Sequence, residues 1–161
     1  GRGEMLFPDG TRYVGTFLNN RIEGEGQMYF TDGRILAGVF HHGSLKGIGR
    51  LDFPDGRRYE GEFESGKLQG QGTLKFPDGR NYIGDFRENL MEGEGRFSFK
   101  DGRVYEGQLK KDLPQGKGRW RFADGRFYIG TFHQGQPLLG NLYSPDGELS
   151  QRIVDGKVDS L

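Results

Sequence analysis

An Asp-Gly pair recurs at 9–10, 32–33, 55–56, 78–79, 101–102 and 124–125, each 23 residues after the last. A fixed period in this range dictates a repeat architecture, in which each unit packs on its neighbours instead of closing a core of its own. The fullest copy is Phe76-Pro77-Asp78-Gly79-Arg80-Asn81-Tyr82-Ile83-Gly84-Asp85-Phe86, and nearly the same residues stand at 53–63. Thirty glycines among 161 residues would by themselves suit a disordered segment. Nearly all of them hold fixed places among periodic aromatics, so the composition reads as ordered.

The period divides the chain into six units, 1–23, 24–46, 47–69, 70–92, 93–115 and 116–138. Each runs Gly-x-Gly-x-apolar-x-Phe, x-Asp-Gly, x-x-Tyr-x-Gly-x-Phe, and then a six-residue connection. Both halves alternate with period two, which is the signature of a strand with one buried face. Tyr59, Gly61 and Phe63 share a face, for example, opposite Glu60 and Glu62. No helical periodicity competes with this pattern, so the chain is expected to be all-β, a meander of consecutive antiparallel hairpins.

Local chemistry supplies the turns. In Pro-Asp-Gly, proline presets φ, aspartate bonds nearby amides, and glycine takes the left-handed position of a three-residue hairpin loop. Asn20, Gly43, Gly66, Asn89, Asp112 and Gly135 occupy one register of the connection, and all are residues that tolerate left-handed backbone. Gly26, Gly49 and Gly72 face the aromatic side, leaving room for neighbouring rings to lie over bare backbone. No second layer is encoded, so the aromatic row is expected to be covered by curling of the sheet, an end segment or a partner. After Leu139 the period fails: Ser144 and Ser150 stand at Phe and Tyr positions, while Asp146-Gly147 persists. Residues 139–161 therefore read as a degenerate seventh unit that caps the array.

Gly-x-Gly-x-Leu-x-Phe-x-Asp-Gly-x-x-Tyr-x-Gly-x-Phe, clearest at 47–63 and 70–86, closely resembles the MORN (membrane occupation and recognition nexus) repeat. The resemblance covers residues 1 to about 138. Many members of that family carry His before the first Gly, where this chain has Glu23, Lys46, Gln69, Glu92 and Gln115. The resemblance implies an elongated, single-layer antiparallel sheet, twisted and grooved. It also implies a non-enzymatic role in tethering membranes or organising cytoskeletal structures, or a place beside a catalytic domain.

Little else in the sequence carries chemistry. The 23 basic and 23 acidic residues balance, which removes any global pull toward nucleic acid or anionic membrane. There is no cysteine for a disulfide framework, and the longest apolar-leaning run, Ile35 to Phe40, is too short for a membrane helix. The chain starts inside a repeat without an initiator Met, and is expected to be part of a longer protein. Gly24-Glu25-Gly26 lacks the third glycine and following helix of a nucleotide site. His41 and His42 are adjacent on an extended segment, so they are expected to point to opposite faces and form no metal site. Glu60, Glu62 and Glu64 read as surface ion-pairing groups, with no burial to separate their pKa values. No catalytic residue, cofactor or metal ligand is assigned.

Two features remain. Arg34, Arg57, Arg80, Arg103 and Arg126 follow the Asp-Gly pairs and are expected to pair with turn aspartates; a row of anion ligands is the alternative. The sixth unit is locally basic, and Lys117, Arg119, Arg121 and Arg126 are the candidate anion or lipid ligands. Alternation puts Arg119 and Arg121 opposite Trp120 and Phe122, which argues against a nucleic-acid stacking platform.

The expected function is a non-catalytic scaffold that takes an extended or helical protein segment along the aromatic face. The groove set is Tyr59, Phe63, Phe76, Tyr82, Phe86, Phe99, Tyr105, Trp120, Phe122, Tyr128 and Phe132. The alternatives are peripheral attachment to anionic phospholipid membranes and a regulatory piece of a larger enzyme. Unpaired edge strands allow end-to-end homo-oligomers. A cytoplasmic location is expected, peripheral at membrane or cytoskeleton.

Overall fold

The computed structural model describes residues 1–159, and the last two residues of the expected cap lie outside the described residues. It contains two compact units, Gly1–Pro77 and Asp78–Leu161. The first holds β1 (Arg2–Leu6), β2 (Arg12–Leu18), β3 (Arg21–Tyr29), β4 (Ile35–His41), β5 (Ser44–Asp52), β6 (Arg58–Glu64) and β7 (Lys67–Lys75). The second holds β8 (Asn81–Arg87), β9 (Leu90–Ser98), β10 (Val104–Lys110), β11 (Leu113–Arg121), β12 (Phe127–His133), β13 (Gln136–Tyr143), β14 (Leu149–Val154) and β15 (Lys157–Asp159). Within each unit every strand pairs antiparallel with its neighbours in sequence. No helix occurs among the described residues. Each unit is thus the all-β meander of hairpins that the alternation requires.

The Asp-Gly hairpins close as the sequence dictates. Gly56 N–H donates to Phe53 O at 3.1 Å and Phe53 N–H to Arg57 O at 2.9 Å, with Gly56 left-handed at φ 98°. Asp55 Oδ1 accepts the Arg57 amide at 3.0 Å, so aspartate closes the loop from outside. The same bonds hold the failing seventh unit, where Ser144 stands in for phenylalanine: Gly147 N–H donates to Ser144 O at 2.9 Å.

The connections between the 23-residue repeats are shorter than the sequence suggests. Only two residues turn the chain, both left-handed, as in Asn19-Asn20 (φ 50° and 64°) and Lys111-Asp112 (φ 50° and 71°). That is the tight hairpin whose twist matches the strands. The remaining four residues are strand, so the expected six-residue connection is corrected to a two-residue turn. The extra strand adds a row of core residues: Ile22, Leu45, Leu68 and Met91 are buried, and each is paired across strands with the last aromatic of its hairpin, as Phe63 is with Leu68.

Between this added row and the glycines each hairpin carries a β-bulge, for instance between Gly61 and Phe63 on β6, opposite Gly72 and Leu68 on β7. The first glycine of the unit sits in it; Gly93 has φ 112°. At the β8–β9 and β10–β11 bulges a side chain from the preceding strand satisfies the freed amide: Asp85 Oδ2 accepts Glu94 N–H at 2.9 Å, and Gln108 Oε1 accepts Lys117 N–H at 2.8 Å.

The core is built by rings lying on backbone. Gly61 pairs with Gly72 across β6 and β7, and the Tyr59 ring covers that pair; a Cβ on Gly72 would stand 2.4 Å from Tyr59 Cε2. Tyr59 Oη donates to Glu62 O at 2.7 Å, and Phe63 meets the ring edge-on with centroids 5.1 Å apart. Tyr13, Tyr82, Tyr105 and Tyr128 repeat the arrangement, each donating to the carbonyl three residues on. In the second repeat Leu36 replaces tyrosine, and Leu45 fills the space instead, with its Cδ2 2.6 Å from where a Gly49 Cβ would be. One layer therefore buries its own aromatics, because glycine lets a ring reach the backbone.

Candidate functional site

That burial sorts the candidate groove residues. In the first compact unit, Gly1–Pro77, Tyr59 and Phe63 are buried and Phe76 is half-buried. In the second, Tyr82, Phe86, Tyr105, Tyr128 and Phe132 are buried, whereas Phe99, Trp120 and Phe122 are half-buried. The seven buried side chains are corrected from contact residues to core. Their surfaces are spent on glycine backbone and on each other, so the cover expected from curling of the sheet, an end segment or a partner is not needed at these positions.

The half-buried rings that touch one another in a row lie at β9–β11. Phe97 and Phe99 have centroids 5.1 Å apart, Phe99 and Trp120 5.7 Å, and Trp120 and Phe122 6.2 Å. These half-buried rings form a continuous aromatic ladder. It borders a recess of about 280 Å³ floored by Tyr105 and Leu109, with Leu113, Pro114 and the Gln134–Gln136 turn at the sides. Leu109 stands where other hairpins have Phe40, Phe63, Phe86 or Phe132, and Pro114 where they have Leu45, Leu68 or Met91. Smaller residues at these two places open the recess. Larger ones at Phe97 and Trp120 wall it, at the positions held by buried Met28, Leu51 and Leu74 in earlier repeats. Asp112 is the only charged residue at the rim, and its Oδ1 already accepts Met91 N–H at 2.8 Å. The recess is therefore apolar and aromatic, without groups poised for acid–base work. Phe97, Leu113 and Pro114 were outside the sequence-derived set; their departure from the repeat at 97, 109, 114 and 120 was the available signal.

The arginine row pairs within its own turns. Arg34, Arg57, Arg80, Arg103 and Arg126 each place Nε 2.7–2.9 Å from the aspartate two residues earlier. Arg57 also lies 4.1 Å over the Phe53 ring and Arg103 4.2 Å over Phe99. The backbone amide of the arginine, with its guanidinium as a further contributor, holds Asp32, Asp55 and Asp124 below the usual carboxylate range. Arg126 thus belongs to the Asp124 turn, away from Lys117, Arg119 and Arg121, which lie exposed on the opposite face of β11.

The histidines differ from expectation. His41 Nδ1 is 3.3 Å and His42 Nδ1 3.8 Å from the Glu23 carboxylate, so both turn to one group. His42 is left-handed at φ 50°, which breaks the alternation that would have separated them. Among the carboxylates of β6, Glu62 Oε2 accepts Gln71 N–H at 2.5 Å and serves the bulge.

Consecutive hairpins with tyrosine on paired glycines define a β-hairpin repeat protein. The model of the MORN repeat matches at residues 1–12, 13–33, 37–57, 59–79, 82–102 and 105–125, and the chain belongs to that family. No curated protein is similar enough to this chain to count as a match. Among solved structures, the TCP domain of SAS-4 (dCPAP) of Drosophila melanogaster, in complex with a proline-rich motif of Ana2 (dSTIL), is 15% identical with a TM-score of 0.57. That alignment covers 100% of this chain and 85% of the other. The TCP10c domain of Drosophila melanogaster Sas-4 is 15% identical, covering 93% of this chain and 97% of the other, with a TM-score of 0.48.

Proposed function

We propose that this chain is a non-catalytic binding module that takes an extended, proline-containing segment of another protein in the recess beside Phe97, Phe99 and Trp120. The aromatic ladder carries the reading: half-buried rings side by side, at the mouth of an apolar recess, are what polyproline-type segments dock against. Such a segment loses little conformational freedom on docking, and its ring carbons fit between aromatic faces. The proline-rich motif bound by the SAS-4 TCP domain supports this choice of occupant, within a likeness that extends only to the fold.

Trp120 is the only tryptophan in the chain, so its fluorescence reports the site directly. Titration with a proline-rich peptide is expected to shift Trp120 emission to the blue, and Phe99→Ala is expected to weaken binding about tenfold, as loss of an aromatic hot spot does. An emission unmoved by saturating peptide, or an affinity indifferent to Phe99→Ala in folded protein, rejects the reading.

A further inference from the structure

The face of β11–β13 opposite the aromatic ladder holds a second cluster. Lys117, Arg119 and Arg121 alternate along β11 and all point to this side, where β12 and β13 contribute Phe127, Ile129 and Tyr143 in register. The Phe127 and Tyr143 rings are stacked, with centroids 5.1 Å apart and planes 17° from parallel. Arg119 places its guanidinium 4.6 Å from the Phe127 centroid, so cation and rings form one layered group. Beside it Ile129 is 45% and Leu139 55% exposed. Among the described residues none of the three cations has an ion pair, and the nearest facing carboxylate, Glu106, is bound to Arg96 at 3.5 Å. A recess of about 290 Å³ lies there, lined by Arg96, Val104, Glu106, Arg119 and Arg121.

We infer that this face is a second binding site, whose occupant is an acidic protein segment with apolar side chains alternating with Asp or Glu. Charge complementarity selects the carboxylates, because a row of cations without ion pairs faces solvent, and its one neighbouring carboxylate is paired to Arg96. Geometry selects a peptide. Same-face residues of an extended strand repeat about every 6.8 Å, so carboxylates at alternate positions of a bound strand match the spacing of Lys117, Arg119 and Arg121. Set on edge between β11 and β12, the bound strand points its carboxylates to the cations and its alternate apolar side chains to the exposed Ile129 on β12 and Leu139 on β13. Arginine and aromatic enrichment is the mark of a protein interface, where a guanidinium held on a ring meets a carboxylate with two donors. A nucleic-acid base would need an open ring face, and Arg119 and Tyr143 occupy those of Phe127.

The probe is a fluorescent peptide alternating glutamate and leucine, with its glutamine counterpart as control, measured by anisotropy against the full chain. Binding is expected for the glutamate peptide only, weakening as salt rises. Arg119→Glu with Arg121→Glu should weaken it about tenfold, the worth of two exposed ion pairs. Arg126→Glu should leave it unchanged, and a thermal melt of each variant checks folding. No binding of the glutamate peptide, or equal binding by folded double variant and parent, overturns the inference. So does tighter binding of phosphatidylserine vesicles or of a single-stranded oligonucleotide than of the peptide, since either makes the face a general anion surface.

Discussion

At Gly72 the limit is space, and at Gly66 it is conformation. A methyl on Gly72 meets the Tyr59 ring, which is pinned by its hydroxyl and by Phe63; Gly66 has nothing within 4 Å but is left-handed at φ 77°. Gly72→Ala should therefore cost about 2–3 kcal/mol, as overpacking does, and Gly66→Ala about 1 kcal/mol, the cost of a side chain in left-handed backbone. Tyr59→Phe should cost about 1 kcal/mol by leaving the Glu62 carbonyl without its partner. Denaturant midpoints of the three variants check the order. Titration adds a second residue-scale test. The turn aspartates have folded pKa values below the ordinary 3.8, so their contribution is complete above that value and fades as pH falls through the folded one. Burial pushes Tyr59 and Tyr82 above the ordinary 10, so their contribution is complete below pH 10 and lost as pH rises beyond it. Melting temperature against pH should show a plateau between these limits, with the acid shoulder reduced by replacing turn aspartates with asparagine.

Hairpins were legible because their chemistry is local: Pro-Asp-Gly and the alternation around it fix loop, register and face without knowledge of the rest. Depth was not legible. Alternation says which side Tyr82 takes, but only the glycine on the next strand decides that its ring lies flat and buried. The row of Ile22, Leu45, Leu68 and Met91 was hidden because the turn needs two residues where the pattern suggested six, although the apolar repeat at 23-residue spacing was there to read. Phe127 and Tyr143 are 16 apart in sequence, and only the β12–β13 register joins them. The bulges at β8–β9 and β10–β11 were equally silent, since a side chain from another strand completes them. Asp85→Ala should destabilise by about 1 kcal/mol through the orphaned Glu94 amide, and Asp85→Asn, which keeps an acceptor, should recover most of it.

A single layer with a ring-covered face and a charged reverse face can offer both faces of one strand to partners, which a sheet packed on a central core does not. In the second unit, Trp120 and Phe99 open to one side while Arg119 and Phe127 open to the other, with β11 supplying residues to both. Alternation keeps the two sets apart: Arg119 and Arg121 flank Trp120 in sequence yet share no contact surface with it. The strand between is held by ladders to β10 and β12 and by the Gln108 bond to the Lys117 amide, so occupancy of one side has no soft element through which to alter the other. Two peptides should then bind independently. With the alternating glutamate peptide at saturation, the affinity for a proline-rich peptide read by Trp120 emission should be unchanged within error, and the reverse titration should agree, as linkage requires. A coupling beyond about threefold in either direction would place the two ligands on overlapping residues, or reveal a second arrangement of β11.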